Sequence, residues 1–340
     1  MRTPTPWPIP AGPFRGSQAP VSRGVLADAV KRGDLQRLFR DVYAESGTLP
    51  SDPRDQHLFL ARAEQIRRPY LIANHETAAL AHSMFMPNPT AAAAAPPHFC
   101  APPRDGRRSR ANPRTVLREV PEDEVMTLES GLRVTTPQRT AVDLAAQLPL
   151  PHALMALDDA ARRTALTRVR PQDLRGPLDA ELLAFSLVPL QRAATTSTHV
   201  RTRSRVQHAL DLVDPRRESP SESFTFGHIA QAGLPLPDAQ VPIMVAGGGV
   251  VYGDLGWEEF SLIAEFDGAV KYGRLARFNN LGENTSLADQ AKREELIRGA
   301  GWKVIRWLFS TILASPAAVL RQLHATLVRH GYRGPQPHLA

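Results

Sequence analysis

The run SLIAEFDG, residues 261–268, narrows the folds open to this chain more than any other feature. Ser261–Phe266 reads as a buried strand, and an apolar strand gains nothing from an unpaired carboxylate at Glu265. Glu265 and Asp267 stand two apart, so a strand projects both side chains from the same face. Gly268 turns the chain, and Lys271 follows. The fold must bring positive charge to the exposed end of this strand.

The residues around it are well punctuated. Helix is expected over 221–232, strands over 239–246, 250–256 and 261–267, helix over 286–299, strand over 302–307 and helix over 316–330. Ser315 caps the last helix, Pro316 suits its first turn, Leu320, Leu323 and Leu327 form one stripe, and Gly331 follows its end. AGGGVVYG (246–253) lacks phosphate-loop spacing and reads as a hairpin turn. The hairpins make part of the sheet antiparallel, and the helix before 302–307 permits a crossover. In such a hairpin Asp254 lies beside Glu265. Three carboxylates, Asp254, Glu265 and Asp267, then converge, at a cost that a cation relieves. Oxygen-only ligands select a hard ion, Mg2+ or Mn2+. A divalent ion so held beside a lysine is equipment for phosphodiester hydrolysis.

At 340 residues the chain can build two or three cores. Residues 1–212 carry 28 Lys and Arg against 21 Asp and Glu, whereas 213–340 carry 13 of each, so the basic excess lies in the first two thirds. It peaks in PPRDGRRSRANPR (102–114) and THVRTRSRVQ (198–207), and clustered arginines favour a polyanion. The single cysteine, Cys100, excludes an internal disulfide framework. No run of about 18 apolar residues is present to span a bilayer. The proline-rich start does not resemble a signal peptide, which points to the cytoplasm.

Residues 1–20 read as a mobile or loosely docked tail. Helix-like spacing follows from Val25, then Gly33 and a strand candidate at Phe39–Tyr43. A helix around 56–67 precedes YLIANHETAALAHSMF, an apolar run leading into a second helix. Thr136 caps and Pro137 opens a further helix, continued by PHALMALDDAARR. HETAALAH (75–82) is not a zinc-protease motif, because Ala79 stands where the second histidine is required. Trp257, Trp302 and Trp307 are expected in the core or covering the sheet. Ser219 and Glu222 have capping-box spacing behind Pro220, a structural reading that competes with any role for Glu222 in chemistry.

SESFTFGHIAQAGLPLPDAQVPI, GDLGWEEFSLIAEFDG and KREELIRGAGWKVIRW together resemble the very-short-patch-repair-type branch of the PD-(D/E)xK nuclease superfamily, over about 215–330. The resemblance implies a sheet flanked by helices, acidic metal ligands at one sheet edge, and DNA as substrate. It makes Asp254 and Glu265 metal ligands, sets Asp267 where a lysine often stands, and matches Glu222 to an accessory acidic position. Lys271 stands where this branch has a histidine, and Lys271 or Lys292 is left to replace the strand lysine. Arg293 is the helix arginine of the pattern and a candidate DNA contact. LFRDVYAE, YLIANHETAALAH and GLRVTTPQRTAVDLA resemble the AbiEi-type antitoxin region over about 22–165, with its opening winged-helix unit truncated or altered. That resemblance implies DNA binding and a protein partner from a toxin–antitoxin pair. Arg104, Arg107, Arg108, Arg110 and Arg114 are its phosphate-contact candidates.

The expected fold class is α+β: a mostly helical N-terminal region followed by a mixed sheet flanked by helices. The expected divisions are a tail (1–20), a DNA-binding region (21–165), a helical connector (166–212) and a nuclease-like domain (213–335). Two functions follow: a Mg2+- or Mn2+-dependent DNA endonuclease, or a non-catalytic DNA-binding regulator on a degenerate nuclease fold. The sequence leaves the oligomeric state open.

Overall fold

The computed structural model describes residues 7–103, 114–197, 200–267 and 287–339. The fold is α+β, with three sheets among the described residues. Two compact units form, one from residues 1–144 with 195–197 and the other from 145–194 with 198–340.

The first unit opens with β1 (Phe14–Arg15), α1 (Arg23–Arg32), β2 (Leu35–Phe39) and β3 (Val42–Glu45), in a three-stranded sheet of order β1-β3-β2. The Ser22 hydroxyl accepts from the Val25 amide to start α1, and Gly33 ends it at φ +81°. Of the proline-rich start, read from sequence as a mobile or loosely docked tail, residues 7–20 are described. Phe14–Arg15 pairs with Val42–Tyr43, and Trp7 and Ile9 pack against a core of Phe14, Leu26, Ala29 and Leu35. Three large apolar side chains anchor a segment whose prolines have no amide to satisfy.

There follow α2 (Pro53–Arg67), β4 (Ile72–Ala73), α3 (His75–His82), α4 (Pro89–Ala94), β5 (Phe99–Ala101), β6 (Thr115–Leu117), β7 (Val125–Thr127), β8 (Arg133–Thr135) and α5 (Pro137–Ala145). Their five strands run in the order β6-β5-β4-β8-β7. The Thr136 hydroxyl accepts from the Arg139 amide at 3.3 Å and so caps α5. Arg139 within TTPQRT is fully buried, paired with Glu124 and, at 3.1 Å, with Asp143. Arg118 and the Ser197 hydroxyl bond the same Asp143 oxygen at 2.7 and 2.5 Å. This arginine locks the interior, in keeping with a packing motif.

The second unit contains α6 (Leu150–Ala165), most of α7 (Ala180–Ser197), α8 (Val200–Leu210), α9 (Pro220–Ala232), β9 (Asp238–Met244), β10 (Val250–Trp257), β11 (Leu262–Asp267), α10 (Leu287–Gly299), β12 (Lys303–Leu308), α11 (Phe309–Ala314) and α12 (Pro316–Arg329). From α9 onward the described elements are helix, three strands, helix, strand and two helices, and the sequence pattern implies all of them except α11. The sheet order is β12-β11-β10-β9, antiparallel throughout except for the parallel β11–β12 pair that α10 connects. Val241, Ile243, Ile263 and Val304 pack with Ile297 of α10, and Trp302 covers them. Trp257 and Trp307 are buried, their indole N–H groups donating to the Pro235 carbonyl (2.7 Å) and Gln322 Oε1 (3.0 Å).

The unit is larger than the 213–335 stretch read from sequence because α6 packs on α9. Gly227 permits this, since a Cβ there would stand 2.5 Å from the Cα of Pro151. Arg217 then donates to Asp158 of α6 at 2.6 and 2.9 Å, and its guanidinium lies 4.0 Å from the Phe226 ring centroid. Both charges are buried, so each depends on the other. Asp158→Ala is expected to cost the full chain about 3–5 kcal/mol by urea unfolding, while Asp158→Leu with Arg217→Met restores most of it. A single variant as stable as wild type contradicts this linkage.

Candidate functional site

Antiparallel pairing of β10 with β11 places Leu255 opposite Ala264, and one further step sets Asp254 across from Glu265. The Phe266 amide donates to Asp254 Oδ2 at 3.0 Å, which holds that carboxylate against the neighbouring strand. On the other side of β11, Glu265 is opposite Arg306 of the parallel strand β12. Arg293 of α10 closes the group. Its Nη1 donates to Glu265 Oε2 at 2.8 Å, and its Nη2 bonds the Tyr252 carbonyl and lies 3.9 Å from Asp254 Oδ1. Ile297, one turn along α10, is buried in the sheet core and sets the rotation that aims Arg293 at the acids.

Burial pushes Asp254 up to about 6, against the opposing attraction of Arg293. Burial, and then the charge of Asp254, push Glu265 up to about 7. Glu222 is held well above the ordinary carboxylate range by burial, and next by Asp254 and Glu218. Glu222 is therefore near Asp254 but fully engaged elsewhere. The Ser219 hydroxyl donates to its Oε1 at 2.6 Å and the Glu218 amide to its Oε2 at 3.1 Å. The Glu222 amide donates to the Ser219 hydroxyl at 3.3 Å. These bonds are those of an N-terminal helix lock, so capping accounts for Glu222.

Glu265 differs. Its Oε2 receives Arg293, whereas its Oε1 is buried without a hydrogen-bond partner. A buried carboxylate oxygen in that condition is costly unless something positive meets it. Asp254 and Glu265 thus offer hard oxygen donors from adjacent strands, with one acceptor still to be satisfied. They fit a small divalent cation. Among the described residues no set of three His, Cys, Asp or Glu could hold a metal ion. The third expected ligand, Asp267, ends β11, and its side chain lies outside the described residues.

Lys271 also lies outside the described residues, as do Arg104, Arg107, Arg108 and Arg110. Lys292 is exposed on α10, next to Arg293. Arg293, expected as a DNA contact, pairs with the acids and keeps 37% of its side chain exposed. Arg114 is partly buried, donating to Glu76 at 2.9 Å and to the Pro96 carbonyl at 3.2 Å. His75 and His82 do not form a metal pair: His75 stacks edge-on to His98, and His82 Nε2 lies 2.7 Å from the Thr135 carbonyl. Burial raises the Cys100 thiol to about 12. Among the described residues no helix is long and apolar enough to cross a membrane. Sequence reasoning missed Gln240 on β9, buried and opposite Asp254; its only sequence signal is a polar residue between Ala239 and Val241.

Residues 71–188 match the AbiEi antitoxin C-terminal domain family. The match begins later and runs further than the 22–165 region of the motif resemblance. Two Mycobacterium tuberculosis proteins, "Uncharacterized protein MT2308" and "Uncharacterized protein Rv2248", are each 28% identical over 204 residues. Those residues are 59% of this chain and 62% of each relative, so the chain spans under two thirds of the length of the relatives it matches.

A carboxyl whose pKa is raised in the fold binds more protons in the native state than in the unfolded state. Glu265 therefore favours folding most below its unfolded value of 4.5, and that contribution is lost as pH rises through about 7. Glu265→Gln removes this loss, so without divalent ions it is expected to gain on wild type as pH goes from 5 to 8, by on the order of 3 kcal/mol. Chemical denaturation at the two pH values measures it, and a pH-independent difference contradicts the assignment.

Proposed function

We propose that the second unit is a divalent-metal-dependent DNA endonuclease acting in a defence or toxin–antitoxin setting. The observation that carries this reading is Glu265 Oε1, a buried acceptor without a partner, beside the half-buried carboxylate of Asp254 on the neighbouring strand. Folding alone gains nothing from such a pair. Asp254 and Glu265 are the residues to hold Mg2+ or Mn2+, with Asp267 as third ligand. Such an ion polarises a phosphoryl oxygen and lowers the pKa of bound water.

The protein's own groups supply the rest. The Phe266 amide fixes one Asp254 oxygen, and the other lies 3.9 Å from Arg293 Nη2. Arg293 neutralises Glu265 without filling both its oxygens, and its exposed portion can meet a phosphate. Lys292 or Lys271 adds positive charge for the developing phosphorane. Arg104, Arg107, Arg108 and Arg110 hold the DNA backbone electrostatically, in line with the basic bias of residues 1–212. Because both ligands must lose protons to bind an ion, nicking should weaken as pH falls through the range of about 6 to 7.

One observation favours a second reading. Arg293 already pairs with Glu265, and Asp267 occupies the place of the usual lysine, as in a regulator that kept the fold without the reaction. The match to an antitoxin domain over 71–188 suits that reading and a protein partner. A supercoiled-plasmid assay separates the two. Wild type is expected to nick with Mg2+ or Mn2+, and Glu265→Ala to lose roughly 10²–10³-fold in rate while retaining salt-sensitive DNA binding. Equal nicking by both proteins rejects the site. Salt-sensitive binding without nicking by wild type under any divalent ion supports the regulator.

A further inference from the structure

The pairs Ala239↔Leu255 and Val241↔Gly253 set Gln240 of β9 across from Asp254. Gln240 combines two features that oppose stability. Its backbone sits at φ +53°, in the left-handed region that glycine tolerates and a glutamine in a strand does not. Its side chain is buried, with the residue 2% exposed and Nε2 without a hydrogen-bond partner. The strained conformation is held from outside the strand, since the Gly176 amide donates to the Gln240 carbonyl at 3.0 Å. β9 is also the edge strand, where a regular residue at this position would satisfy the fold.

An unused buried donor and an unused buried acceptor, Glu265 Oε1, thus occur at positions flanking Asp254 across three adjacent strands. The two have different needs. The acceptor calls for positive charge, and the donor calls for a negatively charged oxygen. Asp254 is the anion nearest in register to Gln240, with one oxygen bonded by the Phe266 amide and the other only 3.9 Å from Arg293. An Asp254 that gives one oxygen to a cation keeps the Phe266 amide on the other, and a second donor from β9 would fix the carboxylate's orientation further. Groups of this kind set both the geometry and the affinity of metal ligands.

We propose that Gln240 is a positioning residue for Asp254, its side-chain amide serving as hydrogen-bond donor to that carboxylate when a divalent cation is bound. This rests on the cation site proposed above. The role explains why an otherwise unfavourable backbone and an unpaired amide are kept at one position. It also extends the site to a third strand, β9, which carries none of the ligands.

The test measures Mn2+ binding to the full chain by electron paramagnetic resonance, with thermal unfolding of the metal-free protein alongside. Gln240→Leu removes the donor at similar volume, and Gln240→Gly also relieves the backbone. Both variants are expected to melt no lower than wild type without metal, and Gly higher than Leu, while Mn2+ affinity falls about 10–100-fold. Unchanged Mn2+ affinity in both variants overturns the proposal. A lowered melting temperature with unchanged affinity does so too, and marks Gln240 as a packing residue. A wild type that binds no Mn2+ sinks the cation site itself, and this proposal with it, whereas binding lost in Glu265→Ala but kept in Gln240→Leu sinks this proposal alone.

Discussion

Everything in the second unit that bears on chemistry depends on the antiparallel register of β10 against β11. Leu255 opposite Ala264 fixes Asp254 against Glu265, and a slip of one residue would send one of them to the other face. Close apolar contacts pin that register. Gly253 and Gly256 leave room for Ile263, which a Cβ at either position would approach within 2.8 Å. The acids meet because two glycines let an isoleucine lie flat across the strand beside it.

The second constraint is the crossover through α10. β11 and β12 run parallel, so a helix must return the chain along the sheet, and the buried Ile297 fixes how that helix rolls. Arg293 follows from that roll and is placed where it offsets part of the repulsion between Asp254 and Glu265. It leaves one Glu265 oxygen unmet. The site thus keeps one carboxylate oxygen without a hydrogen bond, whereas Asp158 meets Arg217 through both of its oxygens.

The second unit was largely legible because its signals are local. A carboxylate in an apolar strand, a glycine-rich turn between strands, and Ser-Pro starts before helices each state their own reason. The juxtaposition of Asp254 and Glu265 across a hairpin was legible that way. The capping role of Glu222 was legible for the same reason, as Ser219 stands three residues before it. What escaped depended on tertiary contacts. Nothing in VPIMVAGGG or its neighbours announces that Gln240 takes a left-handed backbone, since the cause is an amide at Gly176, far away in sequence. The ordering of Phe14–Arg15 required β3 as a partner, and the joining of α6 to α9 required a contact between Gly227 and Pro151. Arg293 stood out in sequence as the helix arginine of the pattern, but that its partner is Glu265 depends on the roll of α10.

On the function proposed above, Asp254 and Glu265 come together to share a divalent ion. Crystals of the protein soaked in Mn2+ and measured at the manganese absorption edge test it most directly. An anomalous peak is expected between the two carboxylates, within about 2.3 Å of Glu265 Oε1 and of an Asp254 oxygen. An empty position at saturating Mn2+, with Arg293 still bonded to Glu265, would contradict it.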